Sequence, residues 1–91
     1  MHRAIARFWT SLERLPESIQ RVAHQNFELL KKNPAHPSLH FKRIGTLWSA
    51  RVGINYRAVA VEDGTDLIWV WIGPHDEYQR MIKQRLARRS G

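Results

Sequence analysis

The chain contains no cysteine, no apolar run long enough to span a membrane and no signal-peptide core. The missing cysteines exclude a disulfide scaffold, thiolate zinc sites and a cysteine nucleophile. The missing targeting segments predict a soluble protein of the cytoplasm. Because the sequence also lacks a Gly/Ser linker and an internal repeat, we expect residues 1–91 to form one domain.

Motifs for cofactor or metal chemistry are missing as well. There is no P-loop, dinucleotide fingerprint, Gly-x-Ser-x-Gly motif or zinc-binding histidine pair on a helix. His36 and His40 are four residues apart, but Pro37 between them prevents a shared helical face. The sequence therefore predicts neither a cofactor nor a metal site.

Acidic residues are few relative to basic ones. Eight Asp and Glu stand against fifteen Lys and Arg, which gives a net charge of +7. A surplus of this size predicts a polyanionic partner, such as nucleic acid, an acidic protein segment or an anionic membrane surface. Four Trp residues and a hydrophobic fraction of 43% argue against intrinsic disorder.

Helical spacing dominates the first third of the chain. Pro16 suits the first position of a helix, and Asn33-Pro34 ends it. The apolar stripe of this helix consists of Ile19, Val22, Ala23, Phe27 and Leu30. The residues before Pro16 predict a shorter helix, carried by Phe8, Trp9, Leu12 and Leu15. Residues 2–6 are too few to decide between a short edge strand and a loop.

Strand patterns follow from residue 39. An alternating segment with Leu39 and Phe41 ends at a Gly45-Thr46 turn, and residues 48–52, 56–61 and 67–72 read as three further strands. Short connections make consecutive strands antiparallel. The last strand is apolar on both faces, which predicts a central position and core packing for Trp69 and Trp71 on one face. Residues 78–86 predict a final helix, and five basic residues lie between Arg80 and Arg89.

The predicted fold is α+β, with a helical pair packed on one face of a small twisted antiparallel sheet and a basic C-terminal helix. Cations and an imidazole lie near strand ends: Lys42, Arg43, Arg51, Arg57 and His75. Antiparallel pairing is expected to bring Arg57 and His75 to one face. Such a set suits RNA cleavage without a metal, in which the 2′-hydroxyl attacks the adjacent phosphorus and a cyclic phosphate forms.

Structural roles compete with these functional ones. A strand arginine such as Arg57 could form a plain cross-strand ion pair with Glu62 or Asp66. Tyr78 begins an apolar helical stripe, so core packing is the alternative to a role in the site. For Lys42 and Arg43 the alternative is a solvated strand face.

Three stretches together resemble toxins of the RelE/ParE superfamily, the toxic halves of bacterial type II toxin–antitoxin modules. They are LPESIQRVAHQNFELLKKNPAHPSL at 15–39, LWSARVGINYRAVAV at 47–61 and VWIGPHDEYQRMI at 70–82. The similarity spans residues 8–82 and implies helices over a twisted antiparallel sheet. This chain departs from the family in its amino-terminal strand, which is expected to be short or lost because the sequence reaches Phe8-Trp9 almost immediately.

The resemblance implies a ribosome-dependent mRNA endoribonuclease that inhibits translation, is neutralised by a cognate antitoxin and serves plasmid stabilization. The net charge of +7 and the arginines at strand ends predict that this antitoxin has an acidic segment. Arg57 would stabilise the scissile phosphate and His75 would do acid–base or stacking work. Lys42 and Arg43 would hold the RNA backbone, with Arg51 and Tyr78 in support. Some of these nucleases carry a glutamate base ahead of the first strand after the helices. This chain has Pro37-Ser38-Leu39 there, with only His36 and His40 nearby.

Two alternatives stay open at this point. The ParE branch shares the fold but poisons DNA gyrase without cutting RNA. A degenerate member of the superfamily would bind an antitoxin or nucleic acid without toxicity.

Overall fold

A computed structural model describes the backbone of residues 1–90 and the side chains of residues 1–84. The chain begins with strand β1 (His2–Ala4), helix α1 (Ala6–Glu13) and helix α2 (Glu17–Lys32). A 3₁₀ turn (Pro37–Leu39) leads to four strands, β2 (Lys42–Ile44), β3 (Leu47–Val52), β4 (Tyr56–Asp63) and β5 (Asp66–Pro74). Helix α3 (His75–Ser90) follows β5 directly.

The five strands form one sheet in the order β1-β5-β4-β3-β2. The consecutive pairs β2–β3, β3–β4 and β4–β5 are antiparallel, as the short connections predict. Strand β1 adds to the other edge in parallel with β5 and makes the sheet mixed. The predicted α+β architecture is confirmed, and the residues that the sequence pattern left undecided form a short edge strand.

Helices cover both faces of the sheet. On one face, α1 and α2 bury the main core, which includes Phe8, Leu12, Leu30, Leu39 and Trp69. On the other face, α3 places Tyr78, Met81 and Ile82 against Leu47 and Val59. The basic C-terminal helix extends to Ser90, but the side chains of Arg85, Leu86, Arg88 and Arg89 lie outside the described ones. None of the described helices has the length and apolar composition needed to cross a membrane.

Trp69 and Trp71 lie on opposite faces of the sheet, which corrects the expectation that they share one. Trp69 pairs with Ala60 and Trp71 with Val59, so Val70 is an extra residue that forms a β-bulge. The bulge reverses the alternation of β5. Trp69 is buried under α1 and α2, whereas Trp71 is half-buried beside α3.

Candidate functional site

One transverse row of the sheet carries the predicted cations. Arg57 in β4 pairs with Arg51 in β3 on one side and with Gly73 in β5 on the other. Directly paired residues point to the same face of a sheet, and this face is the one that α3 covers in part. Lys42 pairs with Ser49, two residues before Arg51, and therefore points to the same face. Arg51 and Arg57 thus lie side by side, and Lys42 lies on the same face one step of two residues further along the sheet; together these three residues are called the row.

Arg57 is held there without a counter-ion. Its Nη1 atom is buried and has no hydrogen-bond partner among the described residues. Its guanidinium carbon lies 5.9 Å from the centre of the Tyr78 ring, a cation–π contact. Burial lowers the pKa of Arg57, and the neighbouring charge of Arg51 adds to this effect. An arginine stays protonated at neutral pH even so, and a guanidinium without an ion pair is a group suited to bind an anion.

The carboxylates considered as structural partners of Arg57 are engaged elsewhere. Glu62 accepts a hydrogen bond from Trp48 Nε1 at 2.7 Å and lies 3.5 Å from Arg43 Nε. Asp66 pairs with Arg3 Nε at 3.2 Å. In the part of the chain that the structure describes, Arg57 therefore has no ion pair of its own.

Arg57 and His75 line the same cleft, as expected from the strand order. The cleft has a volume of about 270 Å³ and lies between the tip of the β3–β4 hairpin and the start of α3. The His75 backbone N–H donates to Asn55 O at 2.7 Å, which fixes the start of α3 against the hairpin. The His75 imidazole lies 3.2 Å from Gln79 Nε2, one turn further along the helix.

Tyr78 is a core residue whose ring packs against the guanidinium of Arg57. It is 4% exposed, packs with Leu47 and Val59, and does not line the cleft. Its ring lies beneath the guanidinium of Arg57. The alternative of core packing is confirmed, and the same packing positions Arg57.

His40 joins the row from the other side. Its Nε2 atom lies 3.3 Å from Arg51 Nη1, and Arg51 Nε donates to Gly53 O at 3.0 Å. His40 has φ 44° and ψ 41°, a left-handed conformation that few residues other than glycine adopt. It follows the 3₁₀ turn, in which Leu39 is fully buried, and this geometry directs the imidazole towards β3. His36 instead bonds with Ser38 inside its own turn.

Arg43 lies apart from this group. It pairs with Trp48, whose side chain packs on the face that α1 and α2 cover. Its Nε atom donates to Gly45 O at 3.0 Å. The structure therefore does not bring Arg43 to the face that carries Arg57, although the two neighbours Lys42 and Arg43 were expected to act together.

Several solved structures with a similar fold are toxins or toxin–antitoxin complexes. A chain of the RelB–RelE antitoxin–toxin complex from Methanococcus jannaschii superposes with a TM-score of 0.67 at 18% identity, over 87% of this chain and 96% of that one. YafQ from E. coli gives a TM-score of 0.65 at 11% identity, over 86% and 96%. The isolated E. coli RelE toxin gives 0.59 at 10% identity, over 92% and 96%. The chain has the fold of RelE toxins. No protein-family model matches the sequence, and no curated protein matches it significantly.

In this RelE fold, the row offers two kinds of chemistry. Arg51 and Arg57 supply forked N–H donors that fit phosphate oxygens. His40 and His75, at either side of the two arginines, are groups of the type that exchange protons near neutral pH. Among the described residues, no three His, Asp or Glu side chains gather closely enough to hold a metal ion. The arrangement suits the binding of a phosphodiester.

Proposed function

We propose that the protein is the toxin of a type II toxin–antitoxin system and cleaves mRNA on the ribosome, in the cytoplasm and without a cofactor. The observation that carries the proposal is that Arg57, whose buried Nη1 has no partner among the described residues, lines one cleft together with His75. The shared fold with RelE and YafQ supports the same proposal.

In the proposed reaction, the RNA 2′-oxygen forms a bond with the adjacent phosphorus and the bond to the 5′-oxygen breaks. The proton of the 2′-hydroxyl passes to a base, and an acid gives a proton to the leaving 5′-oxygen. The products are a 2′,3′-cyclic phosphate and a free 5′-hydroxyl. Negative charge grows on the phosphorane oxygens, and a preorganised cation stabilises it most in the transition state.

The residues of the row take separate parts in this reaction. Arg57 binds the phosphorane oxygens, and His75 transfers a proton. His40 lies on the Arg51 side of the Arg51–Arg57 pair and His75 beside Arg57. His40 supplies a second imidazole near the place where some nucleases of the resembled family carry a glutamate base. Lys42 and Arg51 bind neighbouring phosphates. Tyr78 holds Arg57 in place without contacting the RNA.

The proposed protein partner is a cognate antitoxin with an acidic segment. Two solved structures of the same fold are RelB–RelE complexes, which supports a partner of this kind. The cations of the row lack carboxylate partners among the described residues, so an acidic segment would bind them without displacing an internal ion pair.

Induced expression of the wild type and of Arg57→Ala tests the proposal, with separate measurements of translation, mRNA ends and DNA supercoiling. Purified protein and programmed ribosomes give the single-turnover cleavage rate. We expect Arg57→Ala to lower that rate by about 10²-fold, as removal of one oxyanion donor does in other enzymes. Arg43→Ala is the matched control, because it removes the same charge from the opposite face, and it should leave the rate nearly unchanged.

Intact mRNA combined with altered supercoiling would contradict the nuclease and point to the gyrase-inhibiting branch. Unhindered growth under full expression would point to a protein that only binds its antitoxin or nucleic acid. Full toxicity of Arg57→Ala would remove the assigned role of Arg57.

A further inference from the structure

A second cleft lies on the other flank of α3. It has a volume of about 410 Å³ and is lined by Trp71, Glu77, Arg80, Met81 and Gln84. The two clefts are separated by the first turns of the helix, since Asp76 lines the first and Glu77 the second. Neither the cation row nor His75 belongs to this second cleft.

The β-bulge at Val70 supplies the aromatic wall of the second cleft. In a regular strand of the same sequence, Trp71 would point to the same face as Trp69, into the core under α1 and α2. With the bulge, the Trp71 indole lies over Gly73, so closely that a Cβ atom at this glycine would be 2.6 Å from Trp71 Cζ2. The ring is therefore held by backbone on one side and remains half exposed beside α3.

The polar groups of this cleft are free to bind a ligand. Glu77, Arg80 and Gln84 are exposed, and none of them makes a hydrogen bond or ion pair with another described residue. Trp71 Nε1 is likewise unbonded within the described part, whereas the indoles of Trp48 and Trp69 donate to Glu62 and His2. A flat aromatic face with an adjacent carboxylate, guanidinium and amide is the set of groups that binds a nucleobase.

The charged pair favours one base. Stacking on tryptophan accepts any base, so selectivity comes from the polar groups. A carboxylate accepts from two adjacent N–H donors, and guanine presents N1–H and N2–H side by side. An arginine fork fits two adjacent acceptors, which guanine presents as O6 and N7. Of the four RNA bases, only guanine offers both pairs.

We propose that the second cleft binds a guanine base, stacked on Trp71 and bonded by Glu77 and Arg80. That the ligand is an RNA base rests on the proposed ribonuclease function, whereas the cleft and its lining residues are features of the structure itself. Trp71 is two residues from Gly73, the cross-strand partner of Arg57, a spacing of about 7 Å along β5. One RNA strand can thus place a phosphate at Arg57 and a nearby base at Trp71.

Titration of the ¹⁵N-labelled protein with GMP, AMP, CMP and UMP tests this assignment, read from the indole N–H signals of the four tryptophans. The Trp71 signal, assigned with Trp71→Phe, should shift with GMP at lower concentration than with the other three. The Trp9 signal should stay in place, because Trp9 lies on the opposite face of the sheet. Glu77→Gln should weaken GMP binding by roughly fivefold or more and erase the preference for guanine.

Glu17→Gln, on the exposed start of α2, is the matched control and should bind GMP like the wild type. Equal affinity for the four nucleotides, an equal shift with inorganic phosphate alone, or an unmoved Trp71 signal would each overturn the guanine site. Arg57→Ala should keep the GMP response while losing cleavage. If Arg57→Ala loses cleavage but its Trp71 signal still shifts with GMP, the catalytic site and the guanine site are separate. If the GMP response disappears in Arg57→Ala, the nucleotide binds in the first cleft and the proposal is overturned.

Discussion

Arg57 combines three features that each cost stability. Its Nη1 donor is buried without a partner, a like charge on Arg51 is directly opposite, and no described carboxylate compensates. An unsatisfied buried donor costs about 1–3 kcal/mol, and opposed like charges in a sheet are also unfavourable. Residues that bind or react are often kept at such a cost, because the same features that destabilise the free protein favour the bound anion.

Replacement of Arg57 by methionine should therefore stabilise the fold while it removes activity. Methionine keeps an apolar stem over Tyr78 and takes away both the buried donor and the opposed charge. We expect a gain of about 1 kcal/mol in the free energy of unfolding, or roughly 4–8 °C in Tm for a domain of this size. Thermal unfolding followed by circular dichroism measures it. Arg43→Met is the control and should give no gain in Tm, because Arg43 has Glu62 as an ion-pair partner. A lower Tm for Arg57→Met than for the wild type would refute the expected stabilisation.

His75→Gln separates proton transfer from hydrogen bonding. Glutamine keeps a polar side chain at the start of α3 but cannot exchange a proton at useful rates. Cleavage should slow by roughly 10²–10⁴-fold, and the remaining activity should lose the pH dependence that an imidazole confers near neutral pH. Single-turnover rates across a pH series provide the measurement. His36→Gln serves as the control, because His36 bonds only within its own turn, and a wild-type rate in folded His75→Gln would exclude proton transfer by His75.

The positions of the site residues could be predicted from the sequence wherever side chains alternate regularly along the strands. The pairing of Arg57 with Gly73 brings His75 to the same cleft, as the strand order indicated. The position of His40 depends on a left-handed backbone conformation after a 3₁₀ turn, which no residue pattern announces in a non-glycine residue. Alternation also gives Lys42 and Arg43 opposite faces, so their separation was implicit in the sequence once β2 was accepted as a strand.

At the scale of the elements, the β-bulge in β5 is the feature that the sequence pattern did not predict. A period of two places Trp69 and Trp71 on one face, and only the register with β4 shows the extra residue at Val70. The same holds for β1, whose three residues carry too little pattern and whose parallel pairing is set by contacts with β5.

Gly73→Ala tests the packing that the bulge produces. The new methyl group would lie 2.6 Å from Trp71 Cζ2, so the indole has to move or β5 has to shift. We expect a loss of about 1–3 kcal/mol in the free energy of unfolding, the usual cost of overpacking. Urea denaturation measures this loss. In a Trp71→Leu background the same substitution should cost much less, and equal costs in both backgrounds would show that the ring is not the obstacle.

The docking of β1 should depend on pH through His2. Its Nδ1 accepts a hydrogen bond from Trp69 Nε1 at 3.1 Å, and its ring packs against Phe27 and Phe41. Burial lowers the pKa of His2 below its ordinary 6.5, with the terminal ammonium and Lys31 acting in the same direction. Below pH 6.5 the unfolded chain therefore binds a proton that the folded chain does not, and stability falls until the pH has passed the lowered pKa.

Urea unfolding of the wild type and of His2→Phe between pH 7.5 and pH about 5 measures this contribution. The wild type should lose more stability on acidification than the variant, because phenylalanine keeps the ring contacts and has no proton to gain. Parallel pH curves for the two proteins would show that His2 is not the group responsible.

At the scale of the molecule, charge is sorted along the strands. The acidic end of the β4–β5 hairpin, which carries Glu62, Asp63 and Asp66, is neutralised by Arg3 and Arg43. The opposite end of β4 presents Arg57, and Arg51 lies beside it on β3; neither has an acidic partner among the described residues. These two arginines are therefore the part of the positive surplus that an approaching polyanion would meet at the cleft.

An antitoxin with an acidic segment should consequently bind with an association rate that depends on salt. At low ionic strength the unpaired cations steer the acidic segment, and this steering raises association rates by roughly 10–10³-fold. Added salt shortens the Debye length to about 8 Å at physiological strength and should slow association far more than it speeds dissociation.

Apolar contacts hold the complex once it has formed, and Ile54, which is 77% exposed at the rim of the cleft, is the anchor that the structure offers. Stopped-flow or surface-plasmon measurements over a NaCl series separate the two rates. Ile54→Ser should raise the dissociation rate and leave the salt dependence of association intact, whereas an association rate indifferent to salt would contradict electrostatic steering by this face.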